Sequence, residues 1–380
     1  MKSTITQFSK LLLLSSIMAF AGGVYERGFA QTLTQVPNPP GKFFSNYQAT
    51  DNAGNHYYTY RNGAGGSTFT LYKYNGTTLT EIPNPTGLTV SGLACKASNG
   101  TLYFFYLNAS NLATLYKYNG TTLTAIPNPA GVTASGFIGE ESNGNLLFRY
   151  INSAPRGALY RYNGTTMAAV GGDPHANLVS TMTIDNGTFY LFYFDLGNIA
   201  HMVKFNGTSF TDIPNPGGYA ASVFANKDNS GNLYFQYSNN STFLSEVYKY
   251  NGSTLTQLNT AGFTNGDYEA KDNAGNLYIR FTNTTTNART LFKYDGTTLT
   301  PIANPAGFTY NRYETTDNSG NFYLRYRDAS SNNALYRYDG SSLTAIANPA
   351  GLTLANFAIK DNSGVLYFKY QDASFNGILG

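Results

Sequence analysis

The segment from Leu71 to Gly87, Leu-Tyr-Lys-Tyr-Asn-Gly-Thr-Thr-Leu-Thr-Glu-Ile-Pro-Asn-Pro-Thr-Gly, returns in near copies as far as the C-terminus. That repetition constrains the fold more than any other feature. Its opening motif starts at Leu71, Leu115, Leu159, Met202, Val247, Leu291 and Leu335, at spacings of 44, 44, 43, 45, 44 and 44 residues. A second landmark, Asp-Asn-x-Gly-Asn, keeps step with it, its glycine at Gly54, Gly100, Gly144, Gly187, Gly231, Gly275, Gly320 and Gly364. A third, Pro-Asn-Pro-x-Gly, is clear at Pro37, Pro83, Pro127 and Pro214, worn at Ala303 and Ala347, and only an outline around Gly171–His175 and Leu258–Gly262. One supersecondary unit is therefore copied about eight times.

Each copy holds four strand candidates and no helix signal. Phe-Thr-Leu-Tyr-Lys-Tyr74 and Thr-Leu-Thr-Glu-Ile82 flank Asn75-Gly76, a two-residue hairpin signal because both central residues take positive φ. Asn232-Leu-Tyr-Phe-Gln-Tyr237 and the stretch before each Asp-Asn-x-Gly supply the other two strands, joined by a tight glycine turn. We name them a (before Asp-Asn-x-Gly), b (after it), c (Leu-Tyr-Lys-Tyr) and d (Thr-Leu-Thr-x-Ile). Strands such as Leu-Tyr-Phe-Lys-Tyr370 are apolar almost throughout, so both sheet faces need cover. A four-stranded period near 44 residues favours radial stacking. The expectation is an all-β, eight-bladed β-propeller of four-stranded antiparallel repeats, closed by an N-terminal outer strand d at Thr32–Val36. Strands a at 352–360 and b at 365–371 end the ring, and strand c of the last blade, begun at Gly377–Gly380, is expected to be short, filled by Val24–Arg27, or cut off by truncation of the sequence.

There is no Trp, so the Trp-Asp mark of WD40 repeats is missing, as are the paired glycines of kelch. The run Asp-Asn-Ser-Gly-Asn-Phe-Tyr to Leu-Tyr-Arg-Tyr-Asp-Gly at 317–340 resembles bacterial propeller repeats of the Asp-x-x-Gly-Asn-Leu-Trp/Tyr type. Those belong to extracellular sensor domains of two-component regulators and, more loosely, to NHL-like propellers. The resemblance implies the fold alone. The kinase, transmembrane and DNA-binding parts of such sensors are missing.

Residues 1–30 read as a signal peptide: Lys2 and Lys10 precede the apolar run Leu11–Ala21, too short to span a bilayer. Cleavage after Ala21 or after Ala30 fits, leaving 31–380 as a single propeller domain. The expected product is a soluble monomer, secreted, periplasmic or on the cell surface. Removing the leader leaves a net charge of +1, so no electrostatic footprint for nucleic acid or membrane exists. Cys95 is the only cysteine, which excludes internal disulfides. Aligned with Ala49 and Ala270, it reads as a small buried residue.

No catalytic signature is present, and no cofactor or metal is expected. The Asp-Asn-x-Gly-Asn spacing fails as a calcium loop, so Asp228 and its equivalents read as turn residues bonding their own backbone. None of His56, His175 and His201 has metal-ligand spacing, although Asp173 and His175 mark an irregular copy. The strand-c cations (Lys73, Lys117, Arg161, Lys204, Lys249, Lys293, Arg337) read as solvated or locally paired in preference to an anion-binding ring. One polar concentration stands out: Asp267, Glu269 and Arg280 in the sixth copy, and Arg312, Glu314 and Arg325 in the seventh. Glu269 and Glu314 are the candidate catalytic carboxylates of a polysaccharide hydrolase or lyase at the channel. Cross-strand ion pairing, with Asp267 opposite Arg280 and no raised carboxyl pKa, is the preferred account. The b–c loops vary most, as Arg61–Ser67 and Arg327–Asn333 illustrate, so a glycan or protein ligand is expected on the face of the b–c and d–a loops. The first reading of function is therefore a secreted or surface binding module, with the enzyme and a purely structural envelope protein as alternatives.

Overall fold

The computed structural model describes residues 36, 38–152, 157–171, 177–361, 363–372 and 377–379. The expected leader, residues 32–35 of the expected closing strand, Asp173 and His175 lie outside the described residues. Every regular element described is a strand. The strands form eight antiparallel sheets, seven of four strands and a last of three, each built from strands consecutive in sequence. This is the blade unit read from the repeat.

Sheet 1 shows the pattern: strand a is Lys42–Thr50, b His56–Asn62, c Phe69–Tyr74 and d Leu79–Ile82. In sheet 8, a is Thr353–Lys360 and b is Leu366–Gln371, while Gly377–Leu379 pairs with b as a short strand c. The expected two-residue hairpins are instead four-residue turns, Asn75 to Thr78 in sheet 1, and of the Asn-Gly pair only the glycine takes positive φ: Gly76, Gly120 and Gly164 lie at 94°, 98° and 95°, a region open to glycine at little cost. Strand a is bulged. In sheet 2 its register with strand b shifts between Val90 and Gly92 and again between Leu93 and Cys95. Such bulges add twist and turn backbone groups out of the ladder.

The core lies between sheets. Ala49, Tyr57, Leu71 and Ile82 of sheet 1 pack on Val90, Leu102, Phe104 and Tyr106 of sheet 2. Equivalent clusters fill each later junction as far as sheets 7 and 8. This is why the strands are apolar on both faces. Tyrosine serves these junctions twice. Tyr57, fully buried, meets Tyr118 of the next sheet edge-to-face at 5.8 Å, and its hydroxyl reaches Asp51. Tyr234 and Tyr294 repeat the ring contact at 6.0 Å. Cys95 sits at such a junction, free and 6 % exposed, matching Ala49 at 6 % and Ala270 at 7 %.

The d–a loops are tied to strand c of their own sheet. Asn84 of Pro-Asn-Pro donates to the carbonyl of Phe69 at 2.7 Å, and Asn128, Asn215, Asn304 and Asn348 make the same bond. Among the described residues, nothing covers the outer faces of the end sheets. Phe44 and Tyr47 in sheet 1 and Ile359 in sheet 8 are exposed.

Candidate functional site

The turn side of the array is built from two recurrent polar devices. In the first, Asp51 Oδ1 accepts the backbone N–H groups of Ala53 and Asn55, each at 2.9 Å. Its Oδ2 accepts the Asn55 amide and the Tyr57 hydroxyl, each at 2.8 Å. Asp228 repeats the set with Ser230, Asn232 and Tyr234. Burial works against the charged carboxylate of Asp228. The amide and phenol donors outweigh it and hold the carboxyl below its ordinary value. The turn role read from the sequence is therefore present, with one partner that spacing did not reveal, the tyrosine six residues on.

The second device uses the strand-c cation. Lys73 donates to the carbonyl of Gly120 in the next sheet's Asn-Gly turn at 3.3 Å, and Lys117 to Gly164 at 3.3 Å. Arg161 bonds Gly207 at 2.5 Å, Lys204 bonds Gly252 at 3.2 Å and Lys249 bonds Gly296 at 3.1 Å. Each of these cations bonds a carbonyl of the following copy, and Arg161 is also ion-paired with Glu141 of its own copy at 2.6 Å. The receiving carbonyl is left free by the hairpin turn, and it also takes a tyrosine hydroxyl from its own sheet, as Tyr118 does for Gly120 at 2.8 Å.

The junction of sheets 6 and 7 departs from this rule. Sheet 6 comprises Phe263–Lys271, Leu277–Asn283, Arg289–Tyr294 and Leu299–Ile302. Sheet 7 comprises Phe308–Thr316, Phe322–Asp328, Asn333–Tyr338 and Leu343–Ile346. Gly340 accepts from Tyr338 at 2.8 Å, and among the described residues Lys293 makes no bond to it. Lys293 instead lines a cavity of about 540 Å³ together with Asn276, Asp295, Pro301, Tyr338 and Ser341. Here Asp-Gly replaces Asn-Gly in the turns of both sheets. The N–H of Thr298, with the hydroxyl and N–H of Thr297, holds the Asp295 carboxyl down at about 2, so it is ionised at neutral pH. A cation, a carboxylate, an amide, a phenol and a hydroxyl thus converge over apolar Pro301 and Leu343. A smaller cavity of about 330 Å³ between sheets 1 and 2 is lined by Asp51, Asn55, Tyr57, Lys73, Asn99 and Tyr118. Both concavities lie toward the turns, on the opposite side from the variable b–c loops.

The acidic and basic residues of sheets 6 and 7 come together as the register implies, with Asp267 opposite Arg280 and Arg312 opposite Arg325. Asp267 bonds Arg280 and takes the Gln236 amide at 2.9 Å. Glu269 lies 3.4 Å from Arg280 and accepts both the Tyr310 hydroxyl and the backbone N–H of Tyr313 at 3.1 Å. Glu314, its side chain wholly buried, accepts from Arg312 at 3.1 Å, Arg325 at 2.6 Å and the N–H of Phe357 at 2.9 Å. Tyr313 and Phe357 lie beside the strand-a bulges of the following sheets, so each carboxylate also bolts two sheets together. Gln48 does the same for Leu93 at 2.8 Å. Ion pairing is thus present, and the inter-sheet bond was not legible in sequence. One expectation changes: burial raises the Glu269 carboxyl above its ordinary value despite Arg280 and the N–H of Tyr313.

His201 bonds Asp195 at 2.9 Å and stacks on Tyr193, while His56 bonds Thr50. Among the described residues no group of three His, Cys, Asp or Glu side chains is placed to hold a metal ion. No described helix is long and apolar enough to cross a membrane.

No protein family model and no curated protein matches the chain. Solved structures that it resembles include a prolyl endopeptidase from a study of inter-domain dynamics in catalysis and specificity. That likeness has 12 % identity and a TM-score of 0.42, over 88 % of this chain and 55 % of the other. A puromycin-hydrolyzing peptidase of Mycobacterium tuberculosis gives 10 % identity and 0.39, over 87 % and 58 %. The β-propeller domain of the Trilobed protease from Pyrococcus furiosus, described as having an open velcro topology, gives 11 % and 0.36, over 77 % and 95 %. The chain spans under two thirds of the length of the first two.

Proposed function

We propose that this protein is an exported β-propeller-type binding module that holds a glycan in the groove between sheets 6 and 7. The observation that carries the reading is Lys293. Its counterparts in sheets 1 to 5 are bonded to the next sheet's glycine carbonyl, even where, like Lys73, they also line a cavity, whereas Lys293 lacks that bond and lines a cavity of about 540 Å³. That volume falls within the range of small-ligand sites, which pair an apolar floor with a few convergent polar groups. Lys293, Asp295, Asn276 and Ser341 offer donors and acceptors to sugar hydroxyls, and Tyr338 and Pro301 offer apolar surface. This reading puts the ligand on the turn side, whereas the sequence alone suggests the face of the b–c and d–a loops. Export rests on the leader, Met1–Ala30.

The test is a glycan-array screen of the mature chain, followed by calorimetry on any hit with the wild type, Lys293→Ala and Lys249→Ala. The reading requires at least a tenfold loss of affinity for Lys293→Ala and an unchanged affinity for Lys249→Ala. Equal losses, or binding untouched by either, would remove the groove from consideration.

A second reading, a polysaccharide hydrolase or lyase acting through Glu269 and Glu314, is favoured by the raised carboxyl of Glu269. Against it, Arg325, Arg312 and the N–H of Phe357 already occupy Glu314. Polysaccharide turnover lost in Glu269→Gln would revive that reading.

A further inference from the structure

The first and last sheets present opposite halves of the junction that recurs inside the chain. At every internal junction, one sheet offers its following face and the next sheet its preceding face. In sheet 1 the preceding face carries Phe44, Tyr47, Tyr58 and Tyr60. Phe44 is 54 % exposed, whereas its equivalents Val90, Tyr310 and Leu354 are 1 %, 1 % and 0 % exposed. Tyr47, also 54 % exposed, occupies the position of Leu93, which packs on Ala49 and Tyr57 of the preceding sheet. The rings are already ordered: Phe44 lies 5.9 Å from both Tyr58 and Tyr60, and Tyr47 lies 5.8 Å from Tyr58.

In sheet 8 the following face carries Ile359, Tyr367 and Lys369. Ile359 is 58 % exposed, whereas Ala49, Cys95 and Ala270 at the same place in internal junctions are 6 to 7 % exposed. Lys369, the cation of that face, is exposed and would meet a face made of aromatic rings, a favourable pairing. Ala358 stands where Gln48, Glu269 and Glu314 reach across to the next sheet. Sheets 2, 3 and 5 have Ala94, Ile138 and Ala225 there and still pack closely, so the junction does not depend on that bond.

We infer that these two faces join head to tail between copies of this chain, sheet 8 of one copy seated on sheet 1 of the next. A stacked array normally ends in polar capping faces, whereas these ends expose large apolar and aromatic side chains, Phe44 and Tyr47 at one and Ile359 at the other. Among the described residues both are exposed at once, while the junctions between them are packed. A second copy offers each face the kind of partner that an internal sheet has. The junction is heterologous, so each bound copy presents one new face of each kind.

The experiment is sedimentation velocity of the full chain over a hundredfold range of concentration, with Tyr47→Asp and Ile359→Asp as variants. Both substitutions fall on exposed side chains, and unchanged circular dichroism and melting temperature confirm folding. The inference requires the wild-type mass to rise with concentration to a dimer and beyond. Each variant alone should associate at least tenfold more weakly, and an equimolar mixture of the two should form a complex that stops at one copy of each. It is overturned if the wild type stays monomeric throughout, whether with both faces open or with Tyr47 and Ile359 protected from solvent within one chain. It is also overturned if the mixture associates no better than the single variants.

Discussion

Lys73 Nζ lies 3.3 Å from the carbonyl oxygen of Gly120, 47 residues further along the chain and in the next sheet. This contact, repeated at four later junctions, makes each copy's cation part of its neighbour's turn. Lys117→Met should therefore lower stability by about 0.5–1.5 kcal/mol, the ordinary worth of one such bond. Lys293→Met, which breaks no bond to a turn, should leave the urea midpoint within error of wild type. A loss of equal size in both variants would show that the bond to glycine contributes nothing.

Glu314 is fully buried, with two guanidinium groups and a backbone N–H directed at it. Glu314→Ala leaves Arg325 buried without its partner, and such a loss costs about 3–5 kcal/mol. Glu314→Gln keeps an acceptor for the N–H of Phe357 and should cost less. Chemical denaturation of both variants checks the order.

The turn carboxylates set the acid response. The folded pKa of Asp228 is below its unfolded value, so the folded state holds fewer protons than the unfolded chain. Its contribution is present above the unfolded value, near pH 4, and is lost as pH falls through the folded value. Asp228→Asn should cost about 1–2 kcal/mol at pH 7, and its stability should converge on wild type in strong acid. Glu269 runs the other way. Its folded pKa is raised, so its contribution is present below the unfolded value near 4.5 and declines as pH rises through the folded one. Melting curves from pH 2 to 7 for the wild type, Asp228→Asn and Glu269→Gln separate the two.

Burial, with the charge of Glu140 adding to it, pushes the Cys95 thiol up to about 12. A thiol so far from its thiolate form is inert. An aromatic disulfide reagent should leave Cys95 unmodified in the native protein at pH 8 and label it fully in urea. Fast labelling of the native chain would place Cys95 outside the packed junction.

Much of this architecture was legible because it is local. The Asn-Gly and Asp-Asn-x-Gly turns set strand order and register within a sheet, which is why Asp267 was expected opposite Arg280 and stands there. The alternation of side chains along a strand put Cys95 in the same buried position as Ala49 and Ala270. The role of Asp228 followed from the bonding habits of a short carboxylate beside a glycine turn.

What the repeat by itself determined was the unit: four strands, their order, and the need for cover on both faces. Tertiary structure decided what each unit touches next. The partner of Lys73 in Gly120, the hold of Glu314 on Phe357, the opening beside Lys293 and the exposed faces at Phe44 and Ile359 all depend on the distance and rotation between sheets. A period records how often a unit returns. It carries no information on how one copy is turned against the next, because that angle is set by the fit of side chains across the junction.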